Sequence, residues 1–219
     1  MSYRIIDNNN KVVGEILIYS QENPEPEPVP EPTPEPTPEP SSTKVALVIG
    51  HDVNSKGAYG NEGMSEFDFN DKLLNELTDK YPSSNRKLFY RDEDISGYGN
   101  QMTDLHQRMD KWGADISIEF HFNATSNQDV HGHEVLYCSE AGKKVAELLN
   151  TSYDKYLPTS NRGAKKITMD DNGGGFCCRG KSIAIIAEPF FGAHQDRFIE
   201  GGSLRHDLIY ATLEFVSQL

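Results

Sequence analysis

The chain has 219 residues, a formal net charge of −13 and 36% hydrophobic residues, which suits one medium domain with an appendage. It has no basic stripe to neutralise phosphates, so no nucleic-acid partner is expected, and no run approaches the ~20 apolar residues of a membrane span. Three cysteines, Cys138, Cys177 and Cys178, are too few and too badly spaced for a disulfide framework or a cysteine-rich zinc site, and are expected to be reduced thiols.

The acidity is uneven. Nine of the 12 prolines lie between Pro24 and Pro40, interleaved with Glu22, Glu25, Glu27, Glu31, Glu35 and Glu39. Ahead of them, residues 3–19 show two β-branched runs around Asn8, Asn9 and Asn10. Asparagine tolerates the left-handed backbone of tight turns, so residues 1–20 read as a β-hairpin. A segment of this size cannot bury a core alone. It must dock on the main domain, pair with a second copy, or attach to another protein such as a virion component. Residues 21–43 read as a spacer: alternate prolines fix φ and remove donors, and glutamate repulsion extends the resulting polyproline II rod. The N-terminus lacks a basic segment followed by an apolar core, so the chain is expected to be made in a host cytoplasm and to act after release.

From residue 44 to 219 strand and helix patterns alternate. KVALVIG (44–50) is a continuous apolar strand of the kind buried on both faces. A helix over 66–81 has Phe69, Leu73, Leu74 and Leu77 at helical spacing and stops at Pro82. Next come a strand at 87–91, a helix over 102–113 closed by Gly113, and a strand at 114–122. A strand at 133–138, a helix over 140–156, a strand at 182–188 and a helix over 203–217 complete the pattern. The alternation predicts an α/β domain with a twisted, mostly parallel sheet flanked by helices.

Four polar residues stand at the boundaries of these elements: His51 in VALVIGHD, Glu66 in GMSEFDFN, His121 in SIEFHFNA and Glu188 in SIAIIAEPFF. Unpaired polar groups at buried strand ends cost ~1–3 kcal/mol each, so something must satisfy them. Parallel strands would bring His51 and His121 to one carboxyl edge, where α/β proteins place their sites. Two imidazoles and Glu66 make an open tetrahedral Zn2+ set with one position left for water. Zinc lowers the pKa of that water to about 7, and Glu188 is the candidate general base. A lone strand-end histidine or helix-opening glutamate is more often structural; the four together carry the reading.

Taken with their flanks, these segments resemble the zinc-dependent N-acetylmuramoyl-L-alanine amidases of the amidase-3 family, found among bacterial cell-wall enzymes and phage endolysins. The resemblance runs from about Lys44 to Leu219 through VALVIGHD, GAYGNEGMSEFDFN, KLFYRDED, ADISIEFHFNA, GHEVLYC, NRGAK and SIAIIAEPFFG. It implies that His51, Glu66 and His121 bind zinc, that Glu188 is catalytic, and that the substrate is peptidoglycan. The bond cut would join the lactyl group of N-acetylmuramic acid to L-alanine of the stem peptide, in a phage or prophage lysin. A zinc peptidase cutting within the stem peptide and a non-catalytic peptidoglycan-binding module are the alternatives. The intact Glu188 argues against the second.

The chain departs from the family at Asp52, where a small residue is usual, and at Glu119, where serine is usual. Strand alternation puts Glu119 on the face of His121, as a carboxylate tuning the site or a partner for another side chain. Residues 167–182, with three consecutive glycines, suggest a mobile substrate-edge loop. Among the remaining features, His131 and His133 read as a surface pair and MDDNGG (169–174) as a poor calcium loop. His194 is a candidate cleft residue, and Arg91 and Arg108 are expected to fix helix–strand geometry through carboxylate pairs.

Overall fold

The computed structural model describes residues 2–6, 11–17, 42–60, 63–127, 129–192 and 203–219. The chain divides into two units, Met1–Glu39 and Pro40–Leu219. In the first, β1 (Ser2–Ile6) pairs antiparallel with β2 (Val12–Leu17), with a register shift between Ile5 and Ile6. The asparagine turn at 8–10 and the prolines between 24 and 40 lie outside the described residues.

The second unit runs β3 (Val45–Ile49), α1 (Glu66–Lys80), β4 (Arg86–Phe89), α2 (Tyr98–Trp112), β5 (Ile116–Phe120), β6 (His133–Tyr137), α3 (Glu140–Tyr156), β7 (Asn161–Lys166), α4 (Gly174–Cys177), β8 (Ile183–Glu188) and α5 (Ser203–Ser217). Its six strands form one sheet in the order β4-β3-β5-β8-β6-β7. Strands β4, β3, β5 and β8 are mutually parallel, whereas β6 runs antiparallel to β8 and parallel to β7.

Alternation along β3 builds the layers. Val45, Leu47 and Ile49 belong to one buried cluster, with Leu73, Leu74 and Leu77 of α1, Val145 and Leu149 of α3, and Leu208 and Phe215 of α5. Ala46 and Val48 belong to the other, with Met102, Leu105 and Met109 of α2 and Phe176 of α4. A strand covered on both faces must be apolar throughout, which is why VALVI is. Each large side chain so removed from water contributes roughly 1.5–3 kcal/mol.

Helix ends follow local chemistry. Ser65 caps α1, its side chain accepting from the Asp68 N–H at 3.1 Å. Gly113 closes α2 in the left-handed conformation with φ 82°. Helix α2 begins at Tyr98, four residues before the expected 102, because Gly97 at φ 86° starts it. Two elements were not anticipated. β7 is NRGAKK, an edge strand without a fully buried residue and hence without a hydrophobic signature. α4 falls within the glycine-rich stretch expected to be a mobile loop, yet all four of its residues are buried.

Two expectations are overturned. The cysteines are not all reduced: Cys138, just after β6, is bonded to Cys178 at the end of α4, and only Cys177 is free, and buried. The partners are 40 residues apart in sequence, and their proximity arises only when α4 packs on the sheet. His133 is not a surface residue either. It is fully buried, with Nδ1 2.8 Å from Thr159 Oγ1 and Nε2 3.3 Å from Asp154 Oδ1. His131 is exposed. Among the described residues, no helix is long and apolar enough to cross a membrane.

Closing a loop of this length restricts the unfolded chain, so Cys138→Ser should cost about 2–4 kcal/mol. Urea denaturation should show the same loss for the wild type in reductant, and no further effect of reductant on the variant.

Candidate active site

Parallel pairing brings the carboxyl ends of β3, β5 and β8 to one edge of the sheet, and with them His51, His121 and Glu188. Glu66 reaches the same place because the segment after His51 folds back, through a bridge between Tyr59 and Ser65, to start α1 there. The reversed strand β6 begins at this edge, placing Glu134 in register with Glu188.

The Glu66 carboxylate lies between the two imidazoles. Its Oε2 is 3.1 Å from His51 Nε2 and its Oε1 is 3.1 Å from His121 Nδ1. The backbone amides of Ala58 (2.7 Å) and Phe122 (3.2 Å) donate to the same two oxygens. One ligand atom from each of His51, Glu66 and His121 lies within 4.8 Å of the others, a spacing that a single cation could bridge. The backbone is cleared to allow it. A Cβ on Gly50 would stand 2.6 Å from His121 Nε2, and one on Gly57 (φ 76°) would collide with the His51 ring and come within 2.6 Å of Glu66 Oε2. His51 itself has φ 68°, the sole positive φ outside glycine among the described residues. Such strain is retained where surrounding structure fixes it, commonly at functional sites. The residues therefore fit a zinc-type ion: two nitrogens, one carboxylate and an open side toward the cleft.

Burial opposes charge on Glu66, but hydrogen bonds from His121 and His51 outweigh it and hold the carboxyl at about 2. Burial also opposes charge on His121, and its bonds to Glu119 and Glu66 overcome this, raising it to about 10. In the metal-free protein the cluster thus holds a proton that a cation must displace.

Glu188 differs. Burial pushes its carboxyl up to about 8, with His121 opposing and Glu66, Glu134 and Glu119 adding to the rise. Its Oε2 is buried without a hydrogen-bond partner. A carboxyl that exchanges its proton near neutrality beside a cation-binding cluster is suited to general acid–base chemistry. Glu188, His51, Glu66 and His121 all line one cleft of about 770 Å³. Met169, Asp171, Gly173 and Arg179 also line it, so the 167–182 stretch does edge the cleft, as a turn and a short helix tied down by Cys178.

The two sequence departures both have structural partners. Asp52 Oδ1 accepts from the amides of Asn54 (2.9 Å) and Ser55 (2.8 Å), while Oδ2 accepts from Gln101 Nε2 (3.0 Å), which fixes the turn after His51. Glu119 is fully buried, 2.6 Å from Arg91 Nη2 and 3.3 Å from His121 Nε2. Arg108 pairs with Asp104 at 2.7 Å and donates to the Tyr90 carbonyl at the same distance. Asp171 Oδ2 accepts from the Thr168 amide and hydroxyl, each at 2.8 Å, so MDDNGG forms a turn. His194 lies outside the described residues.

Sequence reasoning missed Glu134 and Asn123. Glu134 accepts from Asn123 Nδ2 at 2.7 Å and from Arg162 Nε at 2.8 Å, while Arg162 lies over the Phe191 ring. The missing signal was the direction of β6, because a parallel strand would have put Glu134 at the opposite edge.

The sequence profile described as N-acetylmuramoyl-L-alanine amidase matches residues 45–196. Among solved structures, the catalytic domain of the CD27L endolysin targeting Clostridia difficile is 22% identical with TM-score 0.65, covering 80% of this chain and 97% of that one. The catalytic domain of CwlV, an N-acetylmuramoyl-L-alanine amidase from Bacillus (Paenibacillus) polymyxa var. colistinus, is 16% identical with TM-score 0.64, at 80% and 97% coverage. An N-acetylmuramoyl-L-alanine amidase from Clostridium difficile 630 is 17% identical with TM-score 0.62, at 80% and 98% coverage. At these identities the likeness establishes the fold. No curated protein matches the sequence.

The raised Glu188 carboxyl predicts a signed pH effect. Its neutral form stabilises the metal-free fold fully below the usual 4.5, and that contribution is lost as pH rises through about 8. In chelator, urea midpoints from pH 4 to 9 should show wild type losing ground steadily to Glu188→Gln.

Proposed function

This chain belongs to the N-acetylmuramoyl-L-alanine amidase family, and from that premise we propose a zinc enzyme in which His51, Glu66 and His121 hold the ion and Glu188 moves the proton. The reaction is hydrolysis, in peptidoglycan, of the amide between N-acetylmuramic acid and L-alanine. The observation that carries the proposed roles is the convergence of the three ligand atoms within 4.8 Å, in a cleft that also contains a carboxyl raised to about 8.

When bound, zinc supplies a Lewis acid that acidifies water to a pKa of about 7 and polarises a carbonyl. The chain does the rest. Glu188, as carboxylate, takes a proton from the attacking water; as carboxylic acid, it returns that proton to the alanine nitrogen as the C–N bond breaks. The burial that favours the protonated form of Glu188, with Oε2 lacking a hydrogen-bond partner, helps it hold the proton between the two transfers. The Glu134–Arg162–Asn123 cluster braces the edge next to Glu188. The cleft wall at Met169, Asp171 and Arg179 supplies apolar and charged contacts for the stem peptide.

A lysin role is supported by the structural likeness to an endolysin catalytic domain. Because peptidoglycan lies outside the membrane, the enzyme would act on the wall after release from the cytoplasm in which it is made. The N-terminal hairpin would add a second point of attachment, to another copy or to a virion protein, and so raise the effective concentration at the wall.

Mass spectrometry of purified peptidoglycan, digested with and without a zinc chelator, tests this. Chelator-sensitive release of stem peptides with a free L-alanine amino terminus, and uncut glycan, is the expected result. Cuts within the stem peptide would instead indicate a peptidase, and zinc-loaded protein that retains wall without products would indicate a binding module. Glu188→Ala should keep its zinc and lose roughly 10²–10⁴-fold in kcat. Loss of the metal from that variant would make Glu188 a ligand and overturn the assigned roles.

A further inference from the structure

His121 stands between two carboxylates. Its Nδ1 faces Glu66 Oε1 at 3.1 Å and its Nε2 faces Glu119 Oε2 at 3.3 Å. A neutral imidazole has one N–H and one lone pair, so a cation bound by this ring must take one nitrogen and leave the proton on the other. The surroundings of the two nitrogens are unequal. On the Nδ1 side, Glu66 leads on to His51, whose side chain is 25% exposed toward the cleft. On the Nε2 side, Glu119 is fully buried and its Oε1 is occupied by Arg91, at 2.6 Å from Nη2 and 3.2 Å from Nε. Its Oε2 has no hydrogen-bond partner apart from the approach of His121.

We infer that Glu119 is a positioning residue for the metal site: its buried carboxylate holds the Nε2 proton of His121, so that the Nδ1 lone pair is presented to the ion. The inference rests on the zinc reading above. Arg91 has a distinct part, since its guanidinium occupies Glu119 Oε1 through both Nη2 and Nε and leaves Oε2 as the atom that faces His121 Nε2. A carboxylate with no proton of its own can receive from Nε2–H but cannot donate to Nε2. It therefore selects one tautomer, where a hydroxyl or amide at this position permits either. Carboxylates placed behind metal-binding histidines orient the ring and raise its basicity, and their loss typically weakens binding 10–100-fold. A purely structural role, in which Glu119 merely neutralises Arg91, makes neither the tautomer nor the metal affinity depend on it.

The test uses the full chain. Zinc affinity is measured by competition with a chromophoric chelator for wild type and Glu119→Gln, with thermal melts of both metal-free proteins to establish folding. The expected result is 10–100-fold weaker zinc binding in a folded Glu119→Gln; affinity within twofold of wild type overturns the inference. Should the single variant unfold because Arg91 is left unpaired, Arg91→Met/Glu119→Gln removes both charges and carries the same comparison. Independently, ¹⁵N shifts of His121 in zinc-loaded wild type should show Nδ1 metallated and Nε2 protonated, and the reverse assignment overturns the inference without any variant. Failure of wild type to bind zinc would sink the metal reading itself, and is therefore distinguishable from failure of the role given to Glu119.

Discussion

One carboxylate clamped between two rings governs the geometry of this enzyme. Glu66 touches His51 and His121, which arrive on different strands, and accepts backbone amides from Ala58 and Phe122 as well. Those contacts fix three chain segments to one another: the turn after β3, the start of α1 and the exit of β5. Each segment has given up something to allow the meeting. The turn after β3 contains a histidine in the left-handed region and needs glycine at 57, and the approach to His121 needs glycine at 50. Local backbone freedom has been arranged around a site whose attraction is electrostatic.

The same edge gathers four carboxylates, and their partners separate their chemistry. Glu66 is held at about 2 by two imidazoles, and Glu119 at about 2 because Arg91 overcomes the penalty of complete burial. Glu134 is matched by Arg162 and Asn123. Only Glu188 is left without a cationic side chain in hydrogen-bond contact, and its carboxyl rises to about 8. One residue type thus takes four different electrostatic settings at a single edge, according to what stands beside it.

Sequence made the parallel half of the domain legible because burial on both faces leaves a strong mark. VALVI, ISIEF and IAIIAE are nearly continuous apolar runs, and their polar ends pointed to His51, His121 and Glu188. The other half left weaker marks. β7 is polar because it is an edge strand, and α4 is a single turn in a glycine-rich stretch. Pairing of Cys138 with Cys178, burial of His133 and the approach of Glu134 to Glu188 all depend on which way β6 runs or on how α4 packs. Neither is written in the periodicity of a short segment, since a strand reads the same in both directions. Asp52 and Glu119 were visible as departures from the family, but their partners Gln101 and Arg91 come from elements distant in sequence.

The reversal of β6 also bears on how such an enzyme can diversify. A parallel neighbour would require the chain leaving His121 to travel the length of the domain and back before adding its next strand. Here the chain passes from β5 to β6, beyond the intervening β8, and enters β6 at the same edge, so the connection starts at the cleft, where Phe122, Asn123 and Ala124 line it, and ends in the sheet at Glu134. Replacements at Phe122, Asn123 and Ala124 alter the lining of the cleft while the two ends of the connection, at His121 and Glu134, stay where the sheet puts them. Recognition of different wall chemistries can therefore evolve in the connection, leaving the masonry of catalysis untouched.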